Sequence, residues 1–338
     1  MQTSHDQTPV VVVTGASAGV GRAVARAYGR RRAKVGLVAR GVDGLNGARR
    51  EIEESGGQAL ALPLDVADAG AVEQAAEEVE RQLGPIDTWV NMAMASVFSP
   101  VKDMQPDEYK RVTEVTYLGY VYGTLAALKR MLPRDHGTIV QVSSALAYRS
   151  IPLQSAYCAS KHAIKGFTES LRTELLHDHS NVKVTMAHLP AVNTPQFNWV
   201  KSRLPHKPQP VPPIFQPEVA AEGILFAADQ AGKRRDLIIG WPSWKAIWGE
   251  KFVAGYIDRV LARDGYSAQQ YDGTVSTDRQ NNLWEPVAGD WGAHGDFDDR
   301  AHDSSWQLWV EMHRGLLTAA GAGVATLAAL GAVALRRH

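Results

Sequence analysis

The sequence predicts an α/β protein built on a doubly wound parallel sheet. Three observations point there. Short runs rich in Val, Ile and Leu recur along roughly the first 240 residues. Most are apolar throughout rather than alternating with polar residues, as in strands buried on both faces. Between them lie longer segments with helical spacing, and this alternation marks a parallel sheet covered by helices.

The elements follow in order. PVVVVTG (9–15) is an apolar run ending in glycine and reads as the first strand, with a helix over 20–31 after it. KVGLVAR (34–40) is a second strand, and 44–57 a helix that ends in glycines. QALALPLDV (58–66) is a third strand, followed by a helix over 71–84 and a fourth strand, IDTWVNMA (86–93). A long helix over about 107–132, a strand GTIVQVSS (137–144), a helix over about 155–178 and a strand VKVTMAHL (182–189) continue the pattern. A helix near 217–230 and a strand DLIIG (236–240) close it. No internal repeat is present.

Composition sets limits. The chain has 338 residues, 45% of them hydrophobic, enough for a full core. Formal net charge is zero, so no nucleic-acid partner is expected. The single cysteine, Cys158, excludes an intrachain disulfide and a cysteine-cluster metal site. The histidines are scattered, and no metal is expected. The N-terminus MQTSHDQTP is polar, without the apolar run of a signal peptide, so the sheet domain is expected in the cytoplasm.

Two stretches carry chemistry. TGASAGVGRA (14–23) follows the first strand and opens a helix. Gly15, Gly19 and Gly21 remove side chains where backbone must turn tightly and approach a phosphate, and the helix N-terminus favours an anion. Arg40 ends the second strand where an acid would bind the ribose hydroxyls of NAD. A basic residue there, with Ser17 nearby, argues for the 2′-phosphate of NADP(H). The second stretch is SAYCASKHA (155–163), in which Tyr157 and Lys161 stand four apart on one helical face. An ammonium beside a phenol lowers its pKa from the usual value of about 10 and makes it a candidate acid/base.

Together these pieces resemble the short-chain dehydrogenase/reductase family, over about residues 9–240. TGASAGVG matches its TGxxxGxG motif through Thr14, Gly15, Gly19 and Gly21, and LDV (64–66) matches the adenine-contacting segment through Asp65 and Val66. YCASK matches YxxxK, and Ser144 stands thirteen residues before Tyr157, where the family keeps its serine. The resemblance implies a Rossmann-type domain in which Tyr157 exchanges a proton with the substrate. Lys161 would hold the nicotinamide ribose and lower the phenol's pKa, and Ser144 would orient the substrate oxygen. Homo-oligomers formed through the two long helices are also implied.

The sequence departs from the family pattern in three places. NNAG is here NMAM (91–94), keeping Asn91 and Ala93 as cofactor-pocket candidates. A catalytic asparagine is replaced by Thr116, whose hydroxyl is a candidate substitute in the proton relay. PG before the proline-rich stretch is LP (189–190), while Thr194 keeps the position that binds the nicotinamide carboxamide.

The proline-rich segment 195–217 is expected to be a lid, with Phe197, Trp199, Val211, Ile214 and Phe215 implying a lipophilic substrate. Residues 241–264 read as a Trp-rich helical extension and 265–305 as an irregular linker or arm. The stretch 315–335 runs 21 residues without a charge, after Trp306 and Trp309 and before Arg336 and Arg337, and is a candidate transmembrane anchor. The functional expectation is an NADP(H)-dependent oxidoreductase acting on a small-molecule carbonyl or alcohol. The alternative is a catalytically weak NADP(H)-binding scaffold or sensor.

Overall fold

Seven parallel strands form one sheet at the centre of the computed structural model, which describes residues 8–275 and 279–315. The strands are β1 (Val10–Thr14), β2 (Lys34–Ala39), β3 (Gln58–Pro63), β4 (Thr88–Asn91), β5 (Thr138–Ser144), β6 (Lys183–Leu189) and β7 (Asp236–Ile238). Their spatial order is β7-β6-β5-β4-β1-β2-β3. The chain reverses direction across the sheet between β3 and β4, so a crevice opens where β1 and β4 end side by side. In such sheets ligands bind at that point.

The helices cover both faces. They are α1 (Gly19–Arg30), α2 (Val42–Glu54), α3 (Ala69–Leu83), α4 (Pro106–Thr113), α5 (Gly119–Met131), α6 (Ser155–His177) and α7 (Pro217–Asp229). A π-helical turn, Glu114–Leu118, joins α4 to α5. One core packs α1, α2 and α7 against the sheet through Val24, Leu45, Ile52 and Ile224. The other packs the opposite helices through Val79, Trp89, Val112 and Ile139. Val11, Val12 and Val13 on β1 are all 0–1% exposed, and they divide between the two cores, which is why β1 reads as an unbroken apolar run.

The C-terminal part adds to this frame. Helix α8 (Trp241–Asp264) bends at Val253, where φ is −138° and ψ is 36°. Only Ser243 and Ile247 on it are buried, and Trp241, Trp244, Trp248 and Phe252 stay exposed. After it, Gln270–Thr274 pairs antiparallel with His206–Pro208, and further along the chain α9 (Trp306–Met312) docks by Leu308 beside Gly223 and by Gln307 on the Ile238 carbonyl. The expected membrane segment 315–335 lies, after Gly315, outside the described residues. Among those residues no helix is long and apolar enough to cross a membrane.

Candidate active site

The glycine loop after β1 is shaped by contacts that leave no room for side chains. Gly15 has φ +76° and Gly19 φ +59°. A Cβ on Gly21 would sit 2.0 Å from the Gly15 carbonyl oxygen, and one on Gly15 2.9 Å from the Ala93 Cα. The loop therefore folds onto itself and onto the end of β4, leaving a cradle of bare backbone at the start of α1. Such a cradle fits a phosphate.

From this cradle a cavity of about 470 Å³ runs to the end of β5. Its walls include Gly15, Ser17, Gly19, Gly21, Arg40, Asp65, Val66, Ala93, Ser144, Tyr157, Lys161 and Thr194. The fold thus brings twelve of the fifteen residues singled out in the sequence to one continuous space. The lining also includes the apolar Leu146, Ile151, Phe197, Trp199 and Val211.

Thr14, Asn91 and Thr116 do not line the cavity, and each is a correction. The Thr14 hydroxyl accepts from the Met92 and Ala93 N–H groups at 2.9 and 3.1 Å, so it ties β1 to the end of β4. Asn91 is fully buried behind the pocket. It donates to Gln141 at 3.0 Å and Thr124 at 3.1 Å, and accepts from the Trp89 indole at 2.8 Å. Thr116 is also fully buried; its hydroxyl donates to the Ala95 carbonyl at 2.9 Å and accepts from the Ala95 N–H at 3.0 Å. It pins the loop after β4 rather than reaching Lys161.

Lys161 is 2% exposed. Its ammonium donates to the Val142 carbonyl at 2.8 Å and to the Tyr120 hydroxyl at 3.0 Å. Tyr120 in turn donates to the same carbonyl at 2.8 Å. Burial pushes the Lys161 pKa down to about 7. Its Nζ lies 5.5 Å from the centre of the Tyr157 ring. The Tyr157 phenol also behaves differently from the expectation. Burial, reinforced by the Cys158 thiol, raises its pKa above the ordinary phenol value, and a hydrogen bond with Ser144 only partly offsets this. Ser144 and Tyr157 therefore share the cavity wall, while Lys161 is held on Tyr120. Tyr120 was not singled out in the sequence; its signal is its place one helical turn after Thr116, on the same face.

The proline-rich segment forms one wall of the cavity and is held from outside. Glu108 on α4 is 1% exposed and accepts from Arg203 at 2.8 and 2.9 Å, Lys201 at 2.7 Å and the Gln105 N–H at 3.0 Å. Burial alone would raise its pKa, but Arg203, the Gln105 N–H and Lys201 together hold it at about 2. Phe197, Trp199 and Val211 line the cavity, whereas Ile214 and Phe215 do not. Those two form a short strand between Ala191–Val192 and Ala301–His302, which turns them into buried packing.

Arg40 lies at the edge of the cavity with its guanidinium already engaged. It donates to the Trp284 carbonyl at 2.6 Å and to the Asn282 carbonyl. Asp65 is likewise held in an ion pair by Arg111. The segment read as a linker or arm thus supplies part of the pocket wall, through Asn282, Pro286, Val287, Gly289 and Trp291.

Comparison with known proteins agrees with this arrangement. The short chain dehydrogenase family model matches residues 9–204. The Bacillus subtilis (strain 168) oxidoreductase YxnA is 31% identical over 299 residues, covering 88% of this chain and 82% of its own. The fatty acyl-CoA reductase of Acinetobacter baylyi is 31% identical over 227 residues, covering 67% of this chain and 74% of its own. A metagenomic short-chain oxidoreductase solved in complex with NADP superposes with a TM-score of 0.58 at 28% identity, over 68% of this chain and 96% of that one. With its glycine cradle, serine, tyrosine and lysine on one cavity, the chain belongs to the short-chain dehydrogenase/reductase family.

Proposed function

We propose that the protein is an NADP(H)-dependent oxidoreductase that interconverts a lipophilic carbonyl compound and its alcohol, with Tyr157 as acid/base. The observation that carries this reading is the one cavity lined both by the glycine cradle and by Ser144, Tyr157 and Lys161. Gly15, Gly19 and Gly21 would hold the pyrophosphate and Thr194 the carboxamide of the cofactor. When bound, the cofactor supplies or takes up the hydride.

The rest of the chemistry belongs to the chain. In reduction Ser144 donates a hydrogen bond to the substrate oxygen and Tyr157 gives it a proton; in oxidation the proton returns to the phenolate. With its pKa raised by burial, the phenol is protonated at neutral pH and so carries the proton that reduction consumes. Lys161 sits close enough to stabilise a phenolate electrostatically. Its own pKa near 7 lets it hold or release a proton at Nζ as the tyrosine changes state.

An apolar substrate is supported by Leu146, Ile151, Phe197, Trp199 and Val211 in the cavity lining. The relative named as a fatty acyl-CoA reductase points the same way. The solved relative carrying NADP supports the cofactor. Exposed Leu125 on α5 and Leu176 on α6 support association of copies through these helices. A second reading, a catalytically weak cofactor sensor, is favoured by Thr116, whose hydroxyl is fully engaged by Ala95. Tyr157→Phe separates the two: the enzyme loses turnover while still binding NADPH, whereas a sensor keeps its function.

A further inference from the structure

The cavity wall beside Arg40 is completed by chain that comes from beyond the sheet domain. Asn282–Gly292 lies across the carboxyl ends of β1, β2 and β3, and nearly every anchor it makes is to a residue of the cofactor motifs or its immediate support. The Gly19 N–H, at the start of α1, donates to the Gly292 carbonyl at 3.0 Å. Arg40 holds the carbonyls of Asn282 and Trp284. Arg111, which pairs with Asp65, donates to the Leu283 carbonyl at 2.9 Å. Asp43 accepts from the Gly289 N–H at 3.0 Å. Asp290 pairs at 3.2 Å with Arg22, which is 2% exposed.

These anchors are not loose surface contacts. Leu283 is 0% exposed and packs in the core beside Val66 and Val38. Asp290 fills space that only a glycine leaves open, since a Cβ on Gly47 would stand 1.9 Å from its carboxylate oxygen. Trp291 packs edge-on against Trp199 of the proline-rich wall, with ring centres 5.1 Å apart. The segment is thus fixed at both ends and in the middle, and it joins the adenosine wall to the substrate wall.

We propose that residues 282–292 are a strap forming the outer wall of the adenosine site, and that Arg40 is the positioning residue that latches it. The proposal rests on the oxidoreductase reading. A guanidinium has five N–H donors in a fixed fork. Arg40 gives one to each of two strap carbonyls, so three remain for the 2′-phosphate. One side chain then bonds to phosphate and strap at once, and the phosphate draws the strap onto the cofactor. A dinucleotide lacking that phosphate meets the same cradle without the coupling. Release of NADPH then requires the strap to lift, because Asn282, Pro286, Val287 and Gly289 line the cavity beside Arg40.

The test uses the full chain. Hydrogen–deuterium exchange over 282–292 is measured for the protein alone, with NADPH and with NADH. NADPH release is followed by loss of energy transfer from tryptophan on chasing with excess NADP⁺. The strap predicts slower exchange with NADPH than with NADH, by about tenfold or more. It also predicts about tenfold faster NADPH release in Asp290→Asn and in Leu283→Ala. Asp290→Asn removes one charge from the strap while Glu51 still pairs Arg22 and Leu283 stays in the core, so it reports even where Leu283→Ala compromises folding. Equal exchange with NADPH and NADH would overturn the role of Arg40. Unchanged release in Asp290→Asn, with NADPH bound by the parent protein, would overturn the strap alone. Absence of binding of either nucleotide to the parent protein would overturn the oxidoreductase reading and the strap with it.

Discussion

Lys161 shows how a single side chain is set by its surroundings. The YxxxK spacing places it one turn after Tyr157, and that much is legible from the sequence. Its partners are not, because Tyr120 and the Val142 carbonyl come from α5 and β5. The pKa consequence follows from burial rather than from sequence neighbours. Folded Lys161 titrates near 7, while the unfolded chain titrates near about 10.4. Between those values the unfolded state binds more protons, so stability rises with pH across that window, and the burial penalty is complete below it. Lys161→Met removes the penalty, and Tyr120 still satisfies the Val142 carbonyl. Urea unfolding of the cofactor-free variant should show its stability relative to the parent rising by about 4 kcal/mol as pH falls from 10 to 6. Thr14 and Thr116 bond backbone and Asn91 bonds buried side chains rather than lining the cavity, because a hydroxyl or amide beside a pocket can equally hold the structure behind it, and spacing does not distinguish the two.

At the scale of elements, strands and helices were legible because their signals are local. β1 is apolar throughout, the helices carry apolar stripes, and glycines mark several ends. The proline-rich segment, expected as a lid, lines the cavity as a wall, and its anchor was not legible, since Glu108 lies 93 to 95 residues before Lys201 and Arg203. That cluster makes a prediction. Glu108→Gln leaves two cations facing a neutral amide. They are themselves partly exposed, so water screens the loss to about 1–3 kcal/mol. The variant should raise KM for a lipophilic substrate more than it lowers kcat, because the wall loosens while Ser144 and Tyr157 stay in place; steady-state kinetics reads the split. The strap was the least legible element. It acts largely through backbone carbonyls, which any residue supplies, and its polar Asn, Asp and Gly content reads as loop.

For the whole molecule, acid stability follows from two buried groups held by different forces. His188 on β6 is fully buried, and burial drives its pKa down to about 4 despite the opposing charge of Asp236. The unfolded histidine titrates near about 6.5, so stability falls as pH drops from about 6.5 to 4. Glu108, held near 2, adds a second loss between about 4.3 and 2. Denaturant midpoints taken across this range should fall in two steps, and His188→Leu should flatten the upper one. The central claim, that one cavity couples a dinucleotide to proton transfer by Tyr157, is tested most directly by Tyr157→Phe. The measurement is carbonyl-dependent oxidation of NADPH beside NADPH binding in the same preparation. The account predicts turnover reduced by about 10²–10⁴-fold with binding within about threefold of the parent protein. Turnover within tenfold of the parent, with binding unchanged, would contradict it.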